Sequence, residues 1–147
     1  MINAKTVRCK LPDVATYERA KKGKVYPKGC TLLQVSATKG QLVYLHEDQA
    51  VDSRYCVIEP DRDRVDAFFF YRILQKGMPE FLSKEQTGLN IKPQILDRFP
   101  VRYFTDMNVQ KYISAEQFLY EMEMQHEQDQ IEMLEHFKKY LFQVMFC

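Results

Sequence analysis

Short apolar runs separated by turn residues fill the first three quarters of the chain and predict a small sheet. Runs typical of strands lie at 31–37, 41–45, 55–58 and 100–104. The first two are joined by Thr38-Lys39-Gly40, which suits a tight hairpin turn. The third is expected to stop at Glu59-Pro60, because proline has no N–H to donate to a strand ladder.

Helical patterns lie between these runs and complete an α+β class. Residues 11–17 predict a short helix that begins with a proline and an aspartate in its first turn. The apolar spacing over 65–74 predicts a second helix that ends at Gly77. Its aromatic residues 68–71 are expected to bury at least two rings. Residues 91–96 fit a further short helix or turn, so we expect a small, twisted mixed sheet with short helices.

The composition changes near Ser114, after which the chain contains no glycine or proline. Ser114 and Gln117 fit a capping box, so one long C-terminal helix of the coiled-coil type is expected, and the chain divides into 1–110 and 111–147. Its candidate interface residues form two apolar clusters around a polar centre: Phe118, Leu119, Met122, Ile131, Leu134, Phe137, Leu141 and Val144. The spacing of the last four is that of a coiled-coil seam. The pattern favours a projecting helix that pairs with partner helices, and the alternative is a helix folded back on the core.

Charge is segregated along the chain, although the net charge is only +1. Residues 1–40 contain nine Lys or Arg against two Asp or Glu, whereas residues 111–147 contain three against seven. A loop over 19–29 carries five of these cations, which are Arg19, Lys21, Lys22, Lys24 and Lys28. This concentration favours a polyanionic partner. The alternative is a solvated basic face.

The residue patterns of common enzyme classes are missing from the sequence. The four cysteines form no CxxC pair, and the three histidines lack the i, i+4 spacing of a helical metal site, so we expect no metal. No GxSxG motif or nucleotide-binding glycine loop occurs, and no Asp, Glu or Gln stands two positions before a lysine, as a nuclease site would need. No apolar stretch suits a signal peptide or a membrane span. The widely spaced cysteines do not suggest a secreted disulfide framework, so we expect a reducing cytoplasm. Without catalytic motifs, we expect a binding protein without cofactors.

The order of the motifs resembles one half of the specificity subunit of a type I restriction-modification system. In that family a target recognition domain, which opens with an L-x-D-V-A helix and contains a G-x-x-L-L-Q-V-S hairpin, precedes a long helix. The matching segments here are 11–15, 29–42, 57–60, 66–74, 87–91 with Leu96, and 99–101. Two features differ from the family: Val109-Gln110-Lys111 stands where an E-Q pair usually opens the helix, and one recognition domain and one helix are present instead of two.

This resemblance implies a non-catalytic subunit that recognises double-stranded DNA. It would direct a DNA adenine methyltransferase, and the restriction subunit through it, to a target sequence. The basic loop would contact phosphates, while Arg19 and other polar residues are candidates for contacting DNA and reading bases. These further residues are Gln34, Lys39, Lys84, Gln86, Thr87 and Asn90. Two half-subunits would pair through their helices, forming a homodimer on a palindromic target.

Other interpretations use the same residues differently. Gln34 also fits an ordinary hairpin surface position, and Asn90 fits a turn residue that bonds its own backbone. A stand-alone half-subunit is also consistent with an interaction protein that competes with a resident specificity subunit for its methyltransferase. A further alternative is an adaptor that binds protein and no DNA. Reversing the charge of the basic loop would leave the partner binding of such an adaptor unchanged.

Overall fold

A computed structural model describes residues 5–36, 40–86 and 88–146. Its contacts divide the chain into two compact units, Met1–Lys111 and Tyr112–Cys147. The strands are β1 (Thr6–Lys10), β2 (Ala15–Arg19), β3 (Val25–Tyr26), β4 (Thr31–Gln34), β5 (Leu42–Tyr44), β6 (Gln49–Ala50), β7 (Tyr55–Pro60) and β8 (Pro100–Phe104). The α-helices are α1 (Ala67–Glu85) and α2 (Met107–Phe146), and 3-10 turns lie at Leu11–Asp13 and Pro93–Arg98.

A four-stranded sheet in the order β2-β7-β4-β5 organises the first unit. β4 and β5 form the predicted hairpin, in which Leu33 lies opposite Leu42. The ribbons β1-β8 and β3-β6 accompany this sheet. The predicted α+β class with a long C-terminal helix is confirmed, but the described strand pairs are all antiparallel, so the sheet is not mixed. A tight turn joins only antiparallel strands, whereas parallel neighbours need a long crossover.

Both faces of the sheet are covered by apolar clusters. Successive side chains along β4 point to opposite faces, so neighbouring residues enter different clusters. Leu33 belongs to the larger cluster, into which Phe70 and Leu74 of α1 pack. Leu32 belongs to a smaller cluster that includes Tyr26 of the β3-β6 ribbon. The sheet is therefore packed between α1 on one face and a two-stranded ribbon on the other.

Helix α1 continues past the end predicted at Gly77 and includes Pro79. Its apolar stripe recurs every fourth residue on both sides of the glycine, through Phe70, Leu74, Met78 and Leu82. Gly77 serves packing, because a Cβ at this position would lie 3.1 Å from Cζ of Phe99. The expected burial of the aromatic run is confirmed, since Phe69 is buried together with Phe70.

The helix predicted at 11–17 is wrong. Only its first residues form a 3-10 turn, and β2 follows from Ala15. β2 pairs with β7 along its whole length, from Ala15 opposite Pro60 to Arg19 opposite Cys56. This pairing also extends β7 beyond the stop predicted at Glu59-Pro60, and Pro60 is tolerated because it ends the strand. The ladder of long-range hydrogen bonds outweighs the local helical pattern.

Three further strands, β1, β3 and β6, and an earlier helix start were not predicted. β1 pairs with the predicted strand β8, and β3 lies inside the segment predicted as a basic loop. Helix α2 begins at Met107 instead of Ser114, because Asp106 caps it: Asp106 Oδ1 accepts the N–H of Asn108 at 2.9 Å. The capping box predicted at Ser114 is therefore wrong, and Ser114 lies inside the helix.

Candidate nucleic-acid interface

Several candidate base-reading residues meet at one end of the four-stranded sheet, where β2 and β4 end and β5 and β7 begin. Gln34 is the last residue of β4. The carbonyl of the next residue, Val35, accepts a hydrogen bond of 3.0 Å from the N–H of Ile91, so Asn90 lies beside this end. We call this end the recognition edge; its polar residues are Arg19, Gln34, Arg54, Gln86 and Asn90.

The end of α1 is packed against the same edge. Gly40 has a φ of +55°, in the left-handed region that favours glycine, and a Cβ there would clash with Cδ1 of the buried Leu82. Gln86, which caps α1, donates its N–H to the carbonyl of Leu82 at 2.9 Å. These contacts hold the backbone of Gln86 close to the hairpin.

Two arginines add positive charge to the recognition edge. Arg19 ends β2, and its Nε donates to the carbonyl of Ser53 at 2.8 Å. Arg54, which no sequence pattern singled out, accepts the N–H of Val35 at 2.9 Å through its carbonyl, and its Nε lies 3.2 Å from Oδ1 of Asp52. A lone arginine in a turn carries no sequence signal; only the register of β4 against β7 reveals its position.

The loop over 19–29, which we call the basic segment, folds around the carboxylate of Glu18. Nζ of Lys21 lies 3.4 Å from Oε2 of Glu18, and the ammonium of Lys24 bonds to Oε1 of the same residue. The hydroxyl of Tyr26 donates to that Oε1 at 3.0 Å and accepts the N–H of Lys21 at 3.0 Å. Nζ of Lys24 also lies 5.0 Å from the centroid of the Tyr26 ring. Two of the five candidate phosphate contacts are thus already paired with Glu18.

The pairing keeps Glu18 ionised well below the pH at which an ordinary glutamate would become protonated. Hydrogen bonds from Lys24 and then from Tyr26 lower the pKa of Glu18 to about 2, and the bond to Glu18 raises the pKa of Lys24. A carboxylate that remains ionised competes with any anionic partner for both lysines.

Glu18→Gln is therefore expected to strengthen DNA binding by roughly two- to tenfold at low salt, because it frees two cations for phosphate contact. Fluorescence anisotropy with a labelled duplex measures this change. Glu116→Gln, which alters the net charge equally on an exposed position of α2, is the matched control and should leave the affinity nearly unchanged. Weaker binding by the Glu18 variant would mean that Glu18 positions the lysines instead of competing for them.

The remaining candidate DNA-contact residues lie apart from one another. Lys22 is exposed and has no ion pair within the described ranges. Lys28 lies near the start of β4, at the opposite end from the recognition edge; its N–H donates to Oδ1 of Asp48 at 2.8 Å and its carbonyl accepts from Arg62. Lys84 lies in the last turn of α1 instead of the predicted loop, 3.0 Å from Oε1 of Glu80. Lys39 and Thr87 lie outside the described residues.

The second unit is a helix with a wide apolar band. All eight predicted interface residues are exposed, with 41% to 68% of their surface accessible. Near the C-terminal end the exposed apolar residues are Ile131, Met133, Leu134, Phe137, Tyr140, Leu141, Phe142, Val144 and Met145. At about 100° per residue they cover roughly 200° of the helix circumference. One partner helix needs a stripe only about half as wide.

The described residues offer no arrangement for metal or thiolate chemistry. Among them, no group of three or more His, Cys, Asp or Glu side chains is placed to hold a metal ion. Burial raises the pKa of the Cys30 thiol to about 11 and that of Cys56 to about 12, so both are protonated at neutral pH. No helix in this part of the chain has a stretch long and apolar enough to cross a membrane.

Known proteins share the fold of this chain but little of its sequence. No protein-family model matches it, and no curated protein is significantly similar. The type I restriction-modification S subunit from M. genitalium aligns with a TM-score of 0.72 at 14% identity, over 90% of this chain and 43% of that one. A type I R-M structure concerned with complex assembly and conformational transition gives 0.63 at 16% identity, over 82% and 38%.

A third solved structure also shares the fold of this chain. The HsdS subunit from Thermoanaerobacter tengcongensis gives a TM-score of 0.54 at 15% identity, over 85% of this chain and 39% of that one. The chain therefore has the fold of type I S subunits and spans less than half the length of each. The resemblance inferred from the order of motifs is confirmed at the level of the fold.

Proposed function

We propose that this chain is a non-catalytic, sequence-specific DNA-binding subunit of a type I restriction-modification system, equivalent to one half of a specificity subunit. The observation that carries the proposal is the fold, which matches an S subunit with a TM-score of 0.72 over 90% of the chain. A fold is not a function. The residues that this fold brings together must also have the chemistry that DNA recognition needs.

The recognition edge supports base reading. The side chains of Gln34, Gln86 and Asn90 each donate and accept, which suits two hydrogen bonds to adenine, and Arg19 suits guanine. Strand pairing holds the backbones of Arg19 and Gln34. The N–H of Gln86 bonds to the carbonyl of Leu82 at 2.9 Å, and Ile91, next to Asn90, bonds to the carbonyl of Val35 at 3.0 Å. A rigid backbone beneath polar side chains is what discrimination between bases requires.

Selection of bound duplexes from a random library with the full chain tests the proposal. A preferred motif should emerge, and the logarithm of the affinity should fall linearly with the logarithm of the salt concentration. Gln34→Ala and Asn90→Ala should each relax the preference at one position and leave the salt slope unchanged. Salt-dependent binding without any enriched motif would contradict a role in sequence recognition.

We further propose that α2 joins the chain to a second copy and docks a methyltransferase subunit. The seam of Leu134, Phe137, Leu141 and Val144 supports the pairing of two copies. The apolar band of roughly 200° leaves surface for a further helix beside that seam. Two half-subunits related by a two-fold axis would read a palindromic target.

Leu134→Asp combined with Phe137→Asp is expected to convert a dimer of about 35 kDa, twice the 17.5 kDa chain, into a monomer. The physical reason is that two charges would be buried without partners in the seam. Light scattering coupled to gel filtration measures the mass. Gln125→Asp combined with Gln128→Asp adds the same charge in the polar centre of the helix and should leave the mass unchanged. A wild-type monomer would contradict self-pairing.

The exposed apolar band also favours a second candidate, an interaction protein that competes with a resident specificity subunit for its methyltransferase. This candidate needs α2 more than the basic segment. Capture of a purified methyltransferase by the chain, unaffected by Lys22→Glu and Lys28→Glu, together with no duplex binding, would support the competitor. Loss of duplex binding in the same variants supports the specificity subunit instead.

A further inference from the structure

The β1-β8 ribbon places two arginines directly opposite each other. Arg8 and Arg102 are cross-strand partners in the antiparallel register, and both are exposed. Directly opposed residues have Cβ atoms about 5 Å apart, and like charges in this arrangement destabilise the pair. Lys10 lies two residues along β1 from Arg8, so it emerges from the same face of the ribbon.

No carboxylate within the described ranges forms an ion pair with Arg8, Lys10 or Arg102. Three other arginines of the first unit do pair with a carboxylate. Nη2 of Arg98 lies 2.6 Å from Oε2 of Glu85, and further pairs join Arg64 to Asp61 and Arg54 to Asp52. The ammonium of Lys10 donates only to a carbonyl, that of Arg98, at 3.4 Å. Among the described residues, no carboxylate therefore offsets the positive charges of the two opposed arginines.

These cations border a surface hollow of about 620 Å³, which is lined by Arg8, Cys9, Lys10, Asp13, Pro100, Val101 and Arg102. Its single carboxylate, that of Asp13, accepts the N–H of Lys10 at 3.0 Å and so serves the 3-10 turn. Three cations against one carboxylate leave the hollow positive. A hollow of this kind suits a phosphate group, since each guanidinium can donate two parallel hydrogen bonds to its oxygens.

We propose that Arg8, Lys10 and Arg102 form a phosphate-binding surface that contacts the backbone of double-stranded DNA. This inference rests on the proposed function and extends it, because the ribbon is separate in sequence and in sheet from the basic segment and the recognition edge. The bound phosphates relieve the repulsion between the two arginines. A polyanion is favoured over a small anion, because the three cations are exposed along a ribbon and do not enclose a pocket.

The test compares Arg8→Gln/Arg102→Gln with the wild-type full chain on a random-sequence duplex over a range of salt concentrations. The double variant should bind at least tenfold more weakly at low salt, and its log–log salt slope should be shallower by about two. Its thermal midpoint should equal or exceed that of the wild type, because the like-charge pair is gone. Arg102→Lys, which keeps the charge, should retain most of the binding.

Lys76→Gln removes an exposed charge from α1 and controls for the overall field; it should change the affinity much less than Arg102→Gln alone. Unchanged affinity and slope in the double variant, with base preference intact in the selection, would overturn the ribbon site and leave the proposed function standing. A weakened double variant of a chain that selects no motif would overturn sequence recognition and keep the ribbon site. Loss of binding to polyglutamate without loss of binding to the duplex would assign the ribbon to an acidic protein and overturn the proposal.

Discussion

Replacing Gln110 with leucine is expected to lower the free energy of unfolding by roughly 3–5 kcal/mol. The side chain of Gln110 is fully buried and makes three hydrogen bonds. Its Oε1 accepts the N–H of Asp66 at 2.7 Å, and its Nε2 donates to the carbonyls of Arg64 at 2.9 Å and Phe104 at 2.6 Å. Leucine fills the space but leaves a buried N–H and two carbonyls without their partner.

The loss is large because Gln110 joins two segments of the first unit, the loop that leads into α1 and the end of β8, to the first turn of α2. Asp66 caps α1, with its Oδ2 accepting the N–H of Phe69 at 3.1 Å, so the bond from Gln110 supports the start of that helix. Breaking such a buried network costs more than removing one surface hydrogen bond. These bonds also give a structural role to Gln110, which stands in the segment where the resemblance led us to expect an E-Q pair.

Urea denaturation followed by tyrosine fluorescence measures this loss, since the chain contains no tryptophan. Gln128→Leu, an exposed position on α2, is the control and should shift stability by no more than about 0.5 kcal/mol. A loss below about 1 kcal/mol for the Gln110 variant would mean that the freed backbone groups find other partners.

Lys22→Glu combined with Lys28→Glu is expected to weaken duplex binding by roughly a hundredfold at 100 mM salt. Each lost phosphate contact reduces the log–log salt slope by about 0.9 and the affinity by close to tenfold, and the new carboxylates add repulsion. These two lysines are the right choice because neither forms an ion pair within the described ranges, whereas Lys21 and Lys24 are held by Glu18.

Anisotropy titrations at several salt concentrations measure the change, with the single variants compared against Lys76→Glu. That control makes the same charge change on α1, away from the basic segment, and should reduce the affinity by no more than a few fold. Equal effects of Lys22→Glu and Lys76→Glu would indicate a response to net charge alone and contradict direct phosphate contact by the segment.

Local patterns predicted elements that a short stretch of sequence specifies, even where the partner is distant, as β1 is from β8. The hairpin of β4 and β5, the strand β8 and the buried aromatic face of α1 each follow from apolar spacing within a short window. The same patterns failed at 11–17 and at Gly77. There, pairing with β7 and packing against Phe99 decided the outcome, and both contacts come from distant parts of the chain.

The sequence named candidate residues by their type and said nothing of their arrangement. Only the bond from Ile91 to Val35 shows that Asn90 and Gln34 share one end of the sheet. No sequence pattern indicated that Glu18 pairs with two of the basic residues. Ion pairs of this kind follow from strand geometry, which places a side chain of β2 beside β3.

The sequence by itself determined the α+β class, the division of charge between the N-terminal third and the final helix, and the apolar seam of that helix. These are properties of composition and of short-range periodicity. Only the tertiary structure decided that Arg8 faces Arg102, that Glu18 pairs with Lys21 and Lys24, and that Gln110 is buried where the loop before α1 and the end of β8 meet the start of α2. The physical reason is that each of these depends on strand register or helix placement, which sums many weak contacts between residues far apart in the chain.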